Sequence, residues 1–187
     1  MDLNYENAVE KVLCSEEDIK KRVKEIAREI EDYYKDSEKK LLLLGILKGS
    51  VVFMADLMKE VKLPIEVDFM RLSSYGKSAV SSGEIVIKAG LEKKDLSAYN
   101  VLIVEDILDT GNTLFWLVNY LKREHKAGDV KICTLLDKPD RREKPVSVDF
   151  GCFKVPDEFV VGYGLDYNEL FRDLPYVGVL KREVYEK

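Results

Sequence analysis

Val101-Leu102-Ile103-Val104-Glu105-Asp106-Ile107-Leu108-Asp109-Thr110-Gly111-Asn112-Thr113-Leu114 decides how this chain is read, because it joins the most apolar strand to the most polar turn. Four branched aliphatic residues in a row read as a central parallel strand covered on both faces. Glu105 and Asp106 follow directly, and a strand end that deep holds two acids only where something donates hydrogen bonds or positive charge to them. Diol hydroxyls or a divalent cation would meet that need. Asp109 to Thr113 is a turn of small residues leading into a helix, and its free N–H groups and two hydroxyls make an anion site. Acids beside an anion cradle point to a phosphorylated sugar. Singly, each piece has a plainer account: a solvated strand end, a helix cap at Asp109 or Thr110, a turn requirement at Gly111. The combination is what carries information.

Upstream, Ser15-Glu16-Glu17-Asp18 has the form of a capping box, and Ile19, Val23, Ile26 and Ile30 follow at helical spacing. Leu41 to Leu47 reads as an aliphatic strand, Lys48-Gly49-Ser50 as its turn, and Val51 to Val61 as a helix stopped before Pro64. Ile65 to Arg71 alternates apolar and polar, as a strand with one open face near a sheet edge does. Leu72 to Gly83 has few core formers and is too long for an ordinary connection, so a flexible lid is expected, carrying Ser74 and Tyr75. Ile85-Val86-Ile87 would pair with the strand before it.

Downstream, Leu114, Leu117, Val118 and Leu121 mark a helix ending near Ala127-Gly128, and Val130 to Leu136 the next buried strand. Strand–helix–strand repetition implies an open, mainly parallel sheet flanked by helices, an α/β fold. His125, the single histidine, sits among charges at that helix end and reads as an exposed cation there, not as a ligand or base. Lys138 opens a polar loop at the carboxyl end of a strand, the edge where such sheets bind ligands. Residues 150–187 are aromatic, glycine-rich and irregular, and read as a small C-terminal hood. Gly162-x-Gly164 lacks the third glycine of a dinucleotide fingerprint, and no P-loop pattern occurs.

Composition narrows the classes. A chain of 187 residues is long enough for a single domain with its own core. A formal charge of −5 argues against a nucleic-acid footprint. Cys14, Cys133 and Cys152 are odd in number and widely spaced, indicating neither a disulfide framework nor a zinc site. With no leader and no long apolar run, a cytoplasmic protein without a membrane span is expected.

Lys48-Gly49, Ser74-Tyr75, Glu105-Asp106 through Thr113, Lys138, and Phe159 through Asp173 lie along the chain in the order found in the type I phosphoribosyltransferases. From about Leu41 to Leu180 the sequence resembles their bacterial hypoxanthine(-guanine) members, and Asn112, where relatives often carry Lys or a small or aliphatic residue, is a mild departure. The resemblance implies the type I phosphoribosyltransferase fold over one domain, 1–187, with the lid at about 72–83. It implies transfer of the phosphoribosyl group of phosphoribosyl pyrophosphate (PRPP) to a 6-oxopurine, in purine salvage, by a homodimer or homotetramer. Thr110, Gly111, Asn112 and Thr113 would hold the 5′-phosphate, Glu105 and Asp106 the ribose hydroxyls, and Lys48, Gly49 and Arg172 the pyrophosphate under Ser74 and Tyr75. Mg²⁺ would bridge substrate oxygens beside Glu105 and Asp106, with a second ion at Asp166. Ile107, Lys138, Phe159, Val160 and Asp166 would form the purine site, Lys138 donating to the 6-oxo group and Phe159 stacking on the ring. Asp109 would be the general base at purine N7, and Leu47-Lys48 a cis peptide bond. Two rivals stay open: a regulator that senses PRPP, and a transferase for another base such as xanthine, adenine, uracil or orotate.

Overall fold

The computed structural model describes residues 5–74 and 85–186. A short helix α1 (Tyr5–Ala8) leads into β1 (Val9–Cys14), and α2 (Glu16–Tyr34) follows. Ser15 caps α2: its Oγ accepts from the Asp18 N–H at 3.1 Å and donates to Asp18 Oδ2 at 2.6 Å. The cap satisfies one of the orphan donors of the first turn. Three strand–helix or strand–strand units come next: β2 (Lys40–Leu47) with α3 (Val51–Glu60), β3 (Ile65–Ser74) with β4 (Ile85–Ala89), and β5 (Tyr99–Leu108) with α4 (Asn112–Glu124). The chain continues through β6 (Asp129–Asp137), β7 (Phe150–Lys154), β8 (Val160–Val161), β9 (Val177–Leu180) and α5 (Arg182–Tyr185).

Six strands form the main sheet in the order β4-β3-β2-β5-β6-β7, all parallel except the β3–β4 pair. The unbroken aliphatic runs of β2 and β5 are buried because both of their faces are covered. Leu41, Leu43, Leu102 and Val104 pack on the side of α2 and α3, with Ile26, Phe53 and Leu57. Leu42, Leu44, Val101 and Ile103 pack on the opposite side, with Leu114, Leu117 and Leu121 of α4. Each such side chain contributes roughly 1.5–3 kcal/mol by leaving water. The arrangement places the carboxyl ends of β2, β5 and β6, and the turns after them, along one edge.

Three expectations need correction. The stretch read as a lid starts inside a strand, since Leu72 and Ser73 belong to β3 and pair with Ile87 and Val86 of β4, and the rest of it, 75–83, lies outside the described residues. The stretch from Phe150 to Lys154 is not hood but the edge strand β7, aligned with Cys133 to Asp137 of β6. The hood proper pairs with the N-terminus: β1, β9 and β8 make a separate antiparallel sheet. His125 is buried rather than exposed, its Nδ1 against the Lys93 carbonyl at 2.9 Å and its Nε2 against the Tyr120 hydroxyl at 3.2 Å. The residues before β5 fold over that helix end, which the local charge pattern does not reveal. Among the described residues, no helix is long and apolar enough to cross a membrane.

Candidate active site

The β5–α4 turn closes around Gly111, whose φ of 83° is left-handed and suits the one residue without a Cβ. Thr110 faces it from one side: its Oγ1 accepts from Asn112 Nδ2 at 3.2 Å, and its carbonyl accepts from the Glu143 and Lys144 N–H groups. Asn112 Nδ2 also donates to Glu143 Oε2 at 2.9 Å, so the Asn112 side chain braces the loop from outside. The Asn112 N–H donates to Thr110 Oγ1 at 3.4 Å, while the Thr113 N–H, in the first turn of α4, has no helical acceptor.

Just before the turn, Glu105 and Asp106 stand at the end of β5, partly accessible at the surface yet packed on all other sides. Burial, and then the Asp106 charge, pushes the Glu105 carboxyl well above the ordinary carboxylate value, and its Oε2 is buried with no partner. Asp106 is pushed up to about 6 by burial, against the Ile107 N–H that donates to its Oδ1 at 2.8 Å. Such acceptors await donors. Ile107 itself packs on the α2–α3 side of the core. Asp109 sits beyond, with Arg141 Nε 3.0 Å from its Oδ1; Arg141 Nη1 lies 3.4 Å from Asp157 Oδ1.

Leu47-Lys48 is a cis peptide bond, and Gly49 comes directly after it. A Cβ on Gly49 would fall 1.5 Å from Asp106 Oδ2, and a Cβ on Gly164 would fall 2.1 Å from the Gly49 carbonyl oxygen. The hood backbone at Gly164 thus lies against the Gly49 carbonyl, and the Asp106 carboxylate lies against Gly49 itself, so both close approaches need a residue without a Cβ. Arg172 locks the hood side: Nη1 donates to the Gly164 carbonyl at 2.8 Å, and Nη2 lies 2.8 Å from Asp166 Oδ1. Lys48 Nζ donates to Glu169 Oε2 at 2.7 Å.

The remaining groups lie beyond β6. Lys138 is 6% exposed and donates to the Glu158 carbonyl at 2.7 Å. It lines a cavity of about 350 Å³ with Arg141, Asp157, Phe159 and Tyr185. The Phe159 ring is 39% exposed and stacks on Tyr185 at 4.8 Å between centroids. Val160 is buried in β8, opposite Val179.

The predicted residues therefore gather as two linked groups. Lys48, Gly49, Glu105, Asp106, Asp166 and Arg172 adjoin one another, while Asp109, Lys138 and Phe159 meet through Arg141 and Asp157. Tyr75 and the Ser74 side chain lie outside the described residues. Glu169, Arg141 and Tyr185 were not singled out by motif. Among the described residues no three Asp, Glu, His or Cys side chains converge as a metal cage. The donor set fits Mg²⁺ all the same, since hard carboxylate oxygens at Glu105, Asp106 and Asp166 leave positions that water and substrate oxygens would fill.

The chain matches the phosphoribosyl transferase domain family over residues 15–168. It is 52% identical, over 95% of its length and 97% of the relative's, to the hypoxanthine-guanine phosphoribosyltransferase of Bacillus subtilis (strain 168). A hypoxanthine-guanine phosphoribosyltransferase of Streptococcus pyogenes serotype M3 is 46% identical over 97% of this chain and 99% of that one. Among solved structures, a hypoxanthine phosphoribosyltransferase from Staphylococcus aureus superposes with a TM-score of 0.92 at 44% identity, covering all of both chains. With the sheet order, the acidic strand end and the Gly111 turn all in place, the chain belongs to the phosphoribosyl transferase family, among its hypoxanthine-guanine members.

Proposed function

We propose that this chain, as one domain, transfers the 5-phosphoribosyl group of PRPP to hypoxanthine, and to guanine, releasing pyrophosphate and leaving IMP or GMP for purine salvage. The observation that carries the reading is the meeting of three turns at the sheet edge. The Asp106 carboxylate lies against Gly49, Gly164 of the hood lies against the Gly49 carbonyl beside Arg172, and the α4 N-terminus follows the same strand end through the Gly111 turn.

Each group has a task that matches its atoms. The α4 N-terminus, with Thr110, Gly111, Asn112 and Thr113, holds the 5′-phosphate. Glu105 and Asp106 accept from the ribose hydroxyls, which supply the donors that Glu105 Oε2 lacks. The Lys48 and Gly49 amides and the Arg172 fork bind the pyrophosphate. Lys138 exchanges the Glu158 carbonyl for the purine 6-oxo group, Phe159 stacks on the ring, and the main chain at Val160 reads its pyrimidine edge. Ile107 bounds the base on the β5 side. As the purine nitrogen displaces pyrophosphate at the anomeric carbon, Asp109 takes the proton from N7, a contribution of about 10²–10⁴ in rate. Mg²⁺, held by Asp166 and by substrate oxygens next to Glu105 and Asp106, would neutralise charge on the departing pyrophosphate. Assembly as a homodimer or homotetramer belongs to this reading, supported by the exposed apolar Val51 and Met58 of α3; sedimentation of a monomer at working concentration would remove it.

Steady-state turnover with PRPP against hypoxanthine, guanine, xanthine, adenine and uracil tests the substrate class. Turnover with the first two and little with adenine or uracil is expected. A preference for adenine or uracil would contradict the roles given to Lys138 and Phe159.

A further inference from the structure

Tyr167 and Leu170 exchange both backbone hydrogen bonds, at 3.1 and 3.0 Å, closing a two-residue turn over Asn168 and Glu169. Both central residues have positive φ, 50° and 67°. This is the form of a type I′ turn, in which Asn-Gly is the favoured pair. Asn168 suits the first position. Glu169 occupies the second, where a side chain is disfavoured, and the Glu169 N–H donates to Asp166 Oδ2 at 2.9 Å, which helps hold it there.

The side chain so held reaches the charged ends of Lys48, whose amide is assigned to the pyrophosphate subsite, and of Arg172, whose fork is. Glu169 Oε2 accepts from Lys48 Nζ at 2.7 Å and lies 3.3 Å from Arg172 Nη2. The Glu169 and Lys48 side chains are 64% and 44% exposed, so the grip is screened by water and a more highly charged anion can displace it. Glu169 has no task at the ribose, the phosphate or the base.

We propose that Glu169 is an internal stand-in for pyrophosphate, whose carboxylate engages Lys48 and Arg172 when the product is absent and competes with it for them. The proposal rests on the assignment of Lys48 and Arg172 to the pyrophosphate subsite. Competition weakens pyrophosphate binding and hastens its release, because the two cations regain a partner as the product leaves. The opposite sign follows if Glu169 merely prepositions the cations, since removing it would then weaken binding. A turn-forming role alone leaves pyrophosphate binding unmoved.

Titration calorimetry of the full chain with pyrophosphate in magnesium buffer separates these outcomes. Glu169→Gln removes the charge and keeps the size, while Glu169→Gly suits the turn and guards against misfolding. Both variants should bind pyrophosphate about 2- to 10-fold more tightly, the range expected for losing two exposed ion pairs. The gain should shrink at high salt, and the product-inhibition constant should fall in parallel. Unchanged or weaker binding in either variant overturns the proposal. A parent chain that binds no pyrophosphate would instead overturn the subsite assignment beneath it.

Discussion

At single-residue scale, the ribose-binding role proposed for Asp106 works against stability. Its carboxyl titrates near 6 in the folded chain, against an ordinary value of 3.8, chiefly because it is buried. The folded chain therefore holds a proton that the unfolded chain has lost between those values. The stability this contributes is present below about pH 3.8 and is lost as the pH rises through about 6. Asp106→Asn keeps an acceptor for the Ile107 N–H and removes the buried charge. The ligand-free variant should be more stable than the parent at pH 7, by on the order of 1–3 kcal/mol, with flatter pH dependence, and should bind PRPP less well. Calorimetric scans from pH 4 to 7 check this, and a variant no more stable at pH 7 contradicts it. Asp109 is different, because it contacts Arg141 near solvent and no phosphate donor. Asp109→Asn should keep PRPP affinity within a few fold and lose roughly 10²-fold or more in forward turnover; wild-type kcat would reduce Asp109 to a turn residue. Lys138→Ala should weaken selection of oxopurines over adenine by roughly 1–3 kcal/mol, because a desolvated acceptor loses its donor. Equal discrimination in parent and variant kinetics would remove Lys138 from the purine site.

Among the elements, the best anticipated are those whose own residues determine them. The aliphatic runs of β2 and β5 can only be doubly covered strands, and the Ser15 cap with Ile19, Val23 and Ile26 defines α2. The acids at the end of β5 and the Gly111 turn were legible for the same reason, and so was Gly49 within its short motif. What sequence missed depends on distant partners. β1 pairs with β9 from the other end of the chain, and β7 is a strand because β6 offers it an edge. His125 looked solvated because the residues that cover it arrive from before β5. Glu169 carried one faint local signal, an Asn-x pair able to form a left-handed turn, but its cationic partners are remote. The hood is fastened at a few points, one being the Tyr163 hydroxyl, which donates to Asp56 of α3 at 2.8 Å. Tyr163→Phe should cost about 0.5–1.5 kcal/mol in global stability, read from denaturant midpoints. No shift in midpoint would mean that this bond is replaced by water without loss.

At the scale of the molecule, a mainly parallel sheet collects loops from β2, β5 and β6 at one edge, and the hood, tied to the N-terminal strand, closes over them. The sheet edge alone carries the groups proposed for the 5′-phosphate and the ribose. The hood adds Phe159, Asp166 and Arg172, and Gly164 brings it against Gly49. In the proposed reading, that addition separates a chain that only senses PRPP from one that consumes it, because the hood completes the base and pyrophosphate sites begun by Lys138 and by Lys48-Gly49. The direct measurement is phosphorus NMR of PRPP incubated with the chain, Mg²⁺ and hypoxanthine. The account predicts equimolar appearance of IMP and pyrophosphate as PRPP disappears, and no such loss without the base. PRPP that binds the chain yet persists unchanged beside hypoxanthine and guanine would contradict it.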